Sequence, residues 1–309
     1  MLRPNERKAW PSRLRVSMRR MRCKRSACIE RPHRFGKRLR EGGRYAWALP
    51  FALAGIAAPA SAQAEEASDA LPSALSVTAG ASIWSGHFGA PTNTQIVSVV
   101  FGARYQIGGL RLVAYIPRMR IRSDGTFFAG LGGTPLFVAP KVGMTDRVRS
   151  GFGDLTVGAS YLLPHGEARG FDVDLSVRAK VPTASNASQL STGKADYSVG
   201  VDLTKTIGRF TPTVSTVYRI FGDNRQWQFR NGFDVTAGTG YTIGSRCSLV
   251  LNYEYVRAAS RFIRDAHEVV LGASAPLADD RLRLTTYISK GLSNGAAAVS
   301  GGASLSLKL

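Results

Sequence analysis

The chain has 309 residues, a formal net charge of +20, 20% charged residues and three cysteines. So basic a balance would suit a nucleic-acid or anionic-surface partner, but its distribution argues against one. Residues 1–64 hold 16 Lys/Arg against 3 Asp/Glu, whereas residues 65–309 hold 25 against 18. The excess belongs largely to a leader and leaves with it, so no nucleic-acid partner is expected.

In that leader, Lys37, Arg38, Arg40 and Arg44 precede the apolar run Tyr45 to Ile56, which is followed by Ala-Ala-Pro-Ala-Ser-Ala-Gln-Ala ending at Ala64. Basic start, apolar middle and small-residue end describe a secretory signal peptide with its core at 37–64, cleaved after Ala62 or Ala64. The apolar run is too short for a helical span of about 20 residues. Residues 1–36 either extend the basic region or follow from a start assigned upstream of one near Leu39. Cys23 and Cys28 go with the leader, which leaves Cys247 and no disulfide framework.

After a short periplasmic segment at 65–74, residues 75–309 contain no apolar run of helical-span length. They alternate instead. In Phe171 to Val181, Phe171, Val173, Leu175, Val177, Ala179 and Val181 form one face, and Asp172, Asp174, Ser176, Arg178 and Lys180 the other. Strands are predicted at 75–84, 96–106, 110–121, 152–163, 171–181, 196–207, 210–221, 232–243, 248–257, 266–275, 281–289 and 298–309. Most reach the roughly 9–11 residues that cross a bilayer at a tilt. The connections alternate long and short, with every odd-numbered one longer than every even-numbered one.

A soluble sandwich would also alternate, but it has no reason to keep that rhythm of connections. Short periplasmic turns and long extracellular loops do. The fold class is therefore all-β, a transmembrane antiparallel up-and-down barrel of about twelve strands in the outer membrane of a Gram-negative bacterium. Tyr105, Tyr161, Phe171, Tyr197, Phe210, Tyr218, Tyr241, Tyr253 and Tyr255 would supply its aromatic girdles. The weakest strand is 110–121, where Pro117 interrupts the ladder and Arg118 and Arg120 fall on the lipid-facing side, so it is expected to bulge or to leave the membrane early. The Gly-rich apolar segment at 122–151 reads either as a constriction or plug folded into the lumen or as a surface loop.

Several stretches resemble the outer-membrane MetA-pathway phenol-degradation family, whose members are described as transporters. They are Gly151-Phe-Gly-Asp-Leu-Thr-Val-Gly-Ala-Ser-Tyr161, Lys180-Val-Pro-Thr183 followed by Leu190-Ser-Thr-Gly-Lys-Ala-Asp-Tyr-Ser-Val-Gly200, Tyr218-Arg-Ile-Phe-Gly-Asp223 and Gly291-Leu-Ser-Asn-Gly295. The resemblance covers most of 150–309 and implies an outer-membrane barrel for uptake of aromatic or other small organic compounds. The chain ends in Leu309, where many outer-membrane proteins end in an aromatic residue; an apolar end still suits the barrel-assembly machinery.

Antiparallel pairing places Asp154 opposite Lys180, Lys180 near Asp196, and Arg219 near Asp234. With Glu254 and Glu268 these inward groups form a ring of opposite charges at the outer mouth. It serves either as a selective constriction or as cross-strand pairing of the wall. Arg178 falls mid-wall; Arg281, Arg283 and Lys308 lie near the periplasmic exit, with Asp172 and Asp174 on another side.

An outer-membrane lipid hydrolase would need a histidine beside a serine. His87 and His165 fall in a loop and a turn, and His267 faces outward while Ser274 and Ser289 face inward. No catalytic residue, metal site or cofactor is expected, Asp172 and Asp174 being too few ligands for calcium. The expected molecule is a monomeric channel in contact with outer-membrane lipids that passes a small organic solute, aromatic compounds included, by diffusion; a closed barrel acting as a surface anchor is the alternative.

Overall fold

A computed structural model describes residues 74–90, 92–139, 147–164, 170–222, 229–244, 246–277 and 281–309; the leader, most of the 65–74 segment and His165 lie outside them. In chain order the strands are β1 (Ala74–Gly86), β2 (Thr94–Ile107), β3 (Leu110–Ser123), β4 (Thr126–Ala129), β5 (Pro135–Ala139), β6 (Arg147–Phe152), β7 (Leu155–Leu162), β8 (Asp172–Val181), β9 (Asp196–Thr204), β10 (Phe210–Ile220), β11 (Gly232–Ile243), β12 (Cys247–Val256), β13 (Ala266–Pro276), β14 (Leu282–Gly291) and β15 (Val299–Lys308). All but β4 and β5 form one antiparallel sheet, with each wall strand paired to its sequence neighbours and β1 paired to β15. Because β6 and β7 both pair with β3, they are two halves of one wall strand, and the sheet closes as a 12-stranded barrel.

The alternation is resolved inside out. On β8, Leu175 and Val177 are 42% and 54% exposed, while Asp172, Asp174 and Lys180 are buried. A soluble sheet would bury the apolar row. An apolar exterior of this extent suits lipid, and the pairing of β1 with β15 closes the seam that would otherwise leave two open edges. No helix among the described residues is long and apolar enough to cross a membrane.

Connections at 108–109, 163–171, 205–209, 244–246 and 277–281 share one end, and those at 87–93, 124–146, 182–195, 221–231, 257–265 and 292–298 the other. Each of the latter is longer than its immediate neighbours in sequence, so the rhythm holds. The stricter ordering does not, because 163–171 is longer than 87–93 and 292–298. Strands that run past their expected ends consume those loops: β1 and β2 stay in register up to Gly86 opposite Thr94.

Strand β3 neither bulges nor leaves the sheet, and its register with β2 is unbroken from Gln95–Arg122 to Ile107–Leu110. The irregularity lies in its partner. The strand expected at 152–163 is broken between Phe152 and Leu155, where the Gly153 N–H donates to the Pro117 carbonyl at 2.8 Å. The N–H and C=O of one strand residue address the same neighbour, so the donor that Pro117 lacks falls where β6 and β7 leave the ladder.

Within the lumen, Val100, Tyr115, Val250, Val270 and Tyr287 pack together and fill one side. The tyrosines lie over glycines of adjacent strands; a Cβ on Gly302 would stand 2.6 Å from the Tyr287 ring and 2.7 Å from the Ala81 carbonyl. Gly302→Val is expected to cost about 1–3 kcal/mol by overpacking, read as a lower urea midpoint of the folded barrel in lipid vesicles.

Candidate functional site: a lumen narrowed by a folded hairpin

After β3 the chain turns inward over residues 126–139. Strands β4 and β5 form a two-stranded hairpin whose Phe127, Ala129 and Val138 are fully buried. One face packs on the wall: Phe127 stacks on Phe137 at 4.5 Å between ring centres and meets Phe88 edge-on at 5.3 Å, among Trp84, Ile96, Met119, Ile121 and Leu190. The other face, Phe128, Leu136 and Val138, packs on Ala259, Phe221 and Phe229 from loops across the mouth.

Polar ties fix it. Arg149 donates to the carbonyls of Phe127 and Gly125, both at 3.2 Å, and the Ala129 N–H donates to the Leu190 carbonyl at 2.7 Å. At the tip, the Gly132 N–H donates to the Thr156 hydroxyl at 3.0 Å. Gly133 adopts φ +80°, a region that favours glycine, and any Cβ there would meet Pro117 at 2.9 Å. The two sequence alternatives for this segment thus resolve in favour of the lumen.

Register gathers the predicted charges as follows. Lys180 lies 3.3 Å from Asp154 and 2.7 Å from Asp196, all three side chains essentially inaccessible. Each partner also holds a loop. Asp154 accepts the N–H groups of Thr183 and Ala184 at 3.1 Å and the Ser191 hydroxyl at 2.6 Å, and Asp196 accepts the Gly222 N–H at 3.0 Å. Arg219 lies 2.7 Å from Asp234. Glu254 and Glu268 stand directly opposite on β12 and β13, and the Ser289 hydroxyl donates to Glu268 at 2.7 Å. Arg283 is apart from these, near the short-turn end, within 3.3 Å of the Ser274 hydroxyl.

Between the hairpin tip and the wall lies a cavity of about 170 Å³. Trp84, Phe88, Leu131, Pro135 and Leu136 give it an apolar side; Arg178, Ser198, Arg219, Asp234, Glu254 and Glu268 give it a polar one. Asp154, Lys180 and Asp196 do not line it. Glu254 Oε1, deep in this polar side, has no hydrogen-bond partner among the described residues.

The apolar half was missed in the sequence, although alternation along β1 already placed Trp84 on the inward row. So was the pairing of Arg111 with Asp174, 3.6 Å apart on the short-turn side of the lumen. Above the wall, Asp265 ties the 257–265 loop. Burial pushes its carboxyl up, but the Ala258 N–H at 2.9 Å, the Tyr255 hydroxyl at 2.7 Å and Arg230 at 3.5 Å outweigh that and hold it below its ordinary value.

His267 faces outward, where Tyr253 hydrogen-bonds its Nδ1 and the Tyr255 ring meets it edge-on at 5.1 Å. Ser274 and Ser289 point into the lumen, paired with Thr285 and Ser300. No group of three or more metal-ligating side chains occurs among the described residues.

No curated protein matches the sequence of this chain. Among solved structures, it is similar to the COG4313 outer membrane channel from Pseudomonas putida F1, with a TM-score of 0.56 and 14% identity over 80% of this chain and 99% of that one. The KdgM porin is more distant, with a TM-score of 0.44 and 10% identity over 75% of this chain and 98% of that one. The P. putida toluene transporter TodX has a TM-score of 0.38 and 10% identity over 79% and 91%. A family model described as "Putative MetA-pathway of phenol degradation" matches residues 85–309. Because the match runs across nearly the whole barrel, the chain belongs to this MetA-pathway phenol-degradation family.

Proposed function

We propose that this protein is an outer-membrane channel that passes small organic solutes, of about the size of one aromatic ring, by passive diffusion. The observation that carries the reading is the two-sided cavity beside the hairpin. Its roughly 170 Å³ is close to the volume of about 150 Å³ that holds a benzene molecule in an engineered apolar cavity elsewhere. A ring would lie against Leu131, Pro135 and Leu136 while a hydroxyl or carboxylate faced the polar wall. The family description and the likeness to a structurally similar channel support the same direction. The short-turn end then faces the periplasm and the long-loop end the outside.

The wall groups Arg178, Arg219, Asp234, Glu254 and Glu268 would set selectivity, since charges in a narrow low-dielectric passage act strongly on permeants. Asp154, Lys180 and Asp196 would position the mouth, and Arg283 would line the exit. Arg178→Gln, at the same cavity, is expected to raise the K⁺/Cl⁻ permeability ratio by roughly twofold, read from reversal potentials under a KCl gradient.

A second reading is favoured by the hairpin itself: packed on both faces, it would close the barrel and make the protein a surface anchor. Single-channel recording of the refolded barrel, with benzoate and glucose flux into liposomes, separates the two. Discrete conductance and faster benzoate flux support the channel, whereas a folded barrel with neither overturns it.

A further inference from the structure

Three arginines of β3 point away from the lumen. Arg118, Arg120 and Arg122 are exposed and alternate with buried Met119, Ile121 and Ser123. The unbroken register with β2 leaves no bulge to turn them inward. They occupy the half of the strand nearer the long-loop end. Below them the outward row is apolar: Leu112, Ala114 and Ile116.

The neighbours fix the level of these groups. Arg118 and Arg120 pair across β2 with Val99 and Val97, which belong to the apolar outward row of that strand. On β6 their partners are Phe152 and Ser150, and the Arg118 guanidinium lies 5.9 Å from the Phe152 ring centre. Two cations therefore stand level with lipid-facing valines and an outward aromatic ring. The outward positions beside Arg118 and Arg120, Val97 and Val99 on β2 and Ser150 and Phe152 on β6, include no carboxylate.

Arginines at this level keep their stems against lipid and raise their guanidinium groups to the headgroup boundary. Positions i and i+2 of a strand are about 7 Å apart, so two such side chains can converge on one anion. Guanidinium forks match phosphate in a bidentate way. In the outer leaflet, the phosphate found at that depth is carried by the glucosamine headgroup of lipid A.

We infer that Arg118 and Arg120 form a binding site on the outer wall for a lipid A phosphate. This rests on the outer-membrane location and the orientation given above. It is independent of whether the lumen conducts. The site pins one lipopolysaccharide molecule against β2, β3 and β6, beside the wall to which the hairpin is tied.

The test is native mass spectrometry of the folded barrel in detergent. It is titrated with bis-phosphorylated lipid A, dephosphorylated lipid A, phosphatidylglycerol and inorganic phosphate, for wild type and for Arg118→Ala/Arg120→Ala. The expected result is saturable binding of bis-phosphorylated lipid A at least about tenfold tighter than of the other three, and a loss of about tenfold or more in the double variant. Heat-modifiable gel mobility reports folding; if the alanine pair does not fold, Arg118→Gln/Arg120→Gln replaces it with the same expected loss. Equal binding of dephosphorylated lipid A or phosphatidylglycerol overturns the site, as does binding of free phosphate alone or an unchanged affinity in the folded variant. Sucrose-gradient fractionation of cells separates these outcomes from a mistaken location: recovery of the protein outside the outer-membrane fraction overturns the location on which the site rests.

Discussion

Replacing residues 126–139 with a short Gly-Ser linker should raise the unitary conductance of the reconstituted barrel several-fold and abolish the proposed preference for benzoate over glucose. A 12-stranded wall encloses a wider lumen than an 8-stranded one, which its own side chains fill. Here the hairpin supplies the filling, through Phe127, Phe137 and Leu136. Removing it also deletes the apolar side of the cavity formed by Leu131, Pro135 and Leu136, while Arg178, Arg219 and Glu254 remain on the wall. The outcome is measured by single-channel recording and liposome flux with the same protein. Unchanged conductance would mean that the constriction lies elsewhere, at the Tyr115 and Tyr287 cluster.

The second large effect is on stability. Lys180→Met should lower the unfolding free energy by about 3–5 kcal/mol, because removing one member of a buried charge cluster strands the others. Two carboxylates, Asp154 and Asp196, would then face each other across an apolar side chain with no cation between them. The loss should be read from urea unfolding in vesicles. Combining Lys180→Met with Asp154→Asn and Asp196→Asn should recover part of it, since amides cost less to bury than unpaired charges. The 182–195 loop and the backbone at Gly222 should also loosen, because Asp154 accepts Thr183 and Ala184 N–H groups and Asp196 accepts that of Gly222. Faster hydrogen exchange at those amides would report it.

Much of the wall was legible because it depends on period and register alone. Alternation through Phe171 to Val181 assigns each side chain to lipid or lumen, and antiparallel pairing then brings Lys180 to both Asp154 and Asp196 without further information. Arg219 and Asp234 follow by the same logic. The hairpin was legible only as two alternatives. Its residues Phe127, Phe128, Leu136 and Val138 carry no period that says which way the segment turns, and the contacts that decide it come from Leu190, Phe221, Phe229 and Ala259. The break between β6 and β7 was hidden because Gly153 and Asp154 continue a plausible strand pattern; only the proximity of Pro117 and the hairpin tip explains why they leave it. In β3 the conflict between an outward row and three arginines was visible, and the unbroken register shows that it belongs to the exterior.

The position of the hairpin also constrains the order in which the molecule can be assembled. It sits inside a wall whose final seam joins β1 to β15, the two strands farthest apart in the chain, and it is gripped from the mouth by Phe221, Phe229 and Ala259. A segment packed on both sides cannot enter easily once the seam has closed and the loops above it have settled. Residues 126–139 should therefore turn inward while the sheet is still an open curl, with the later strands wrapping around them. Non-local pairings already make such closure slow, and the hairpin gives the incomplete wall an apolar body to curve around.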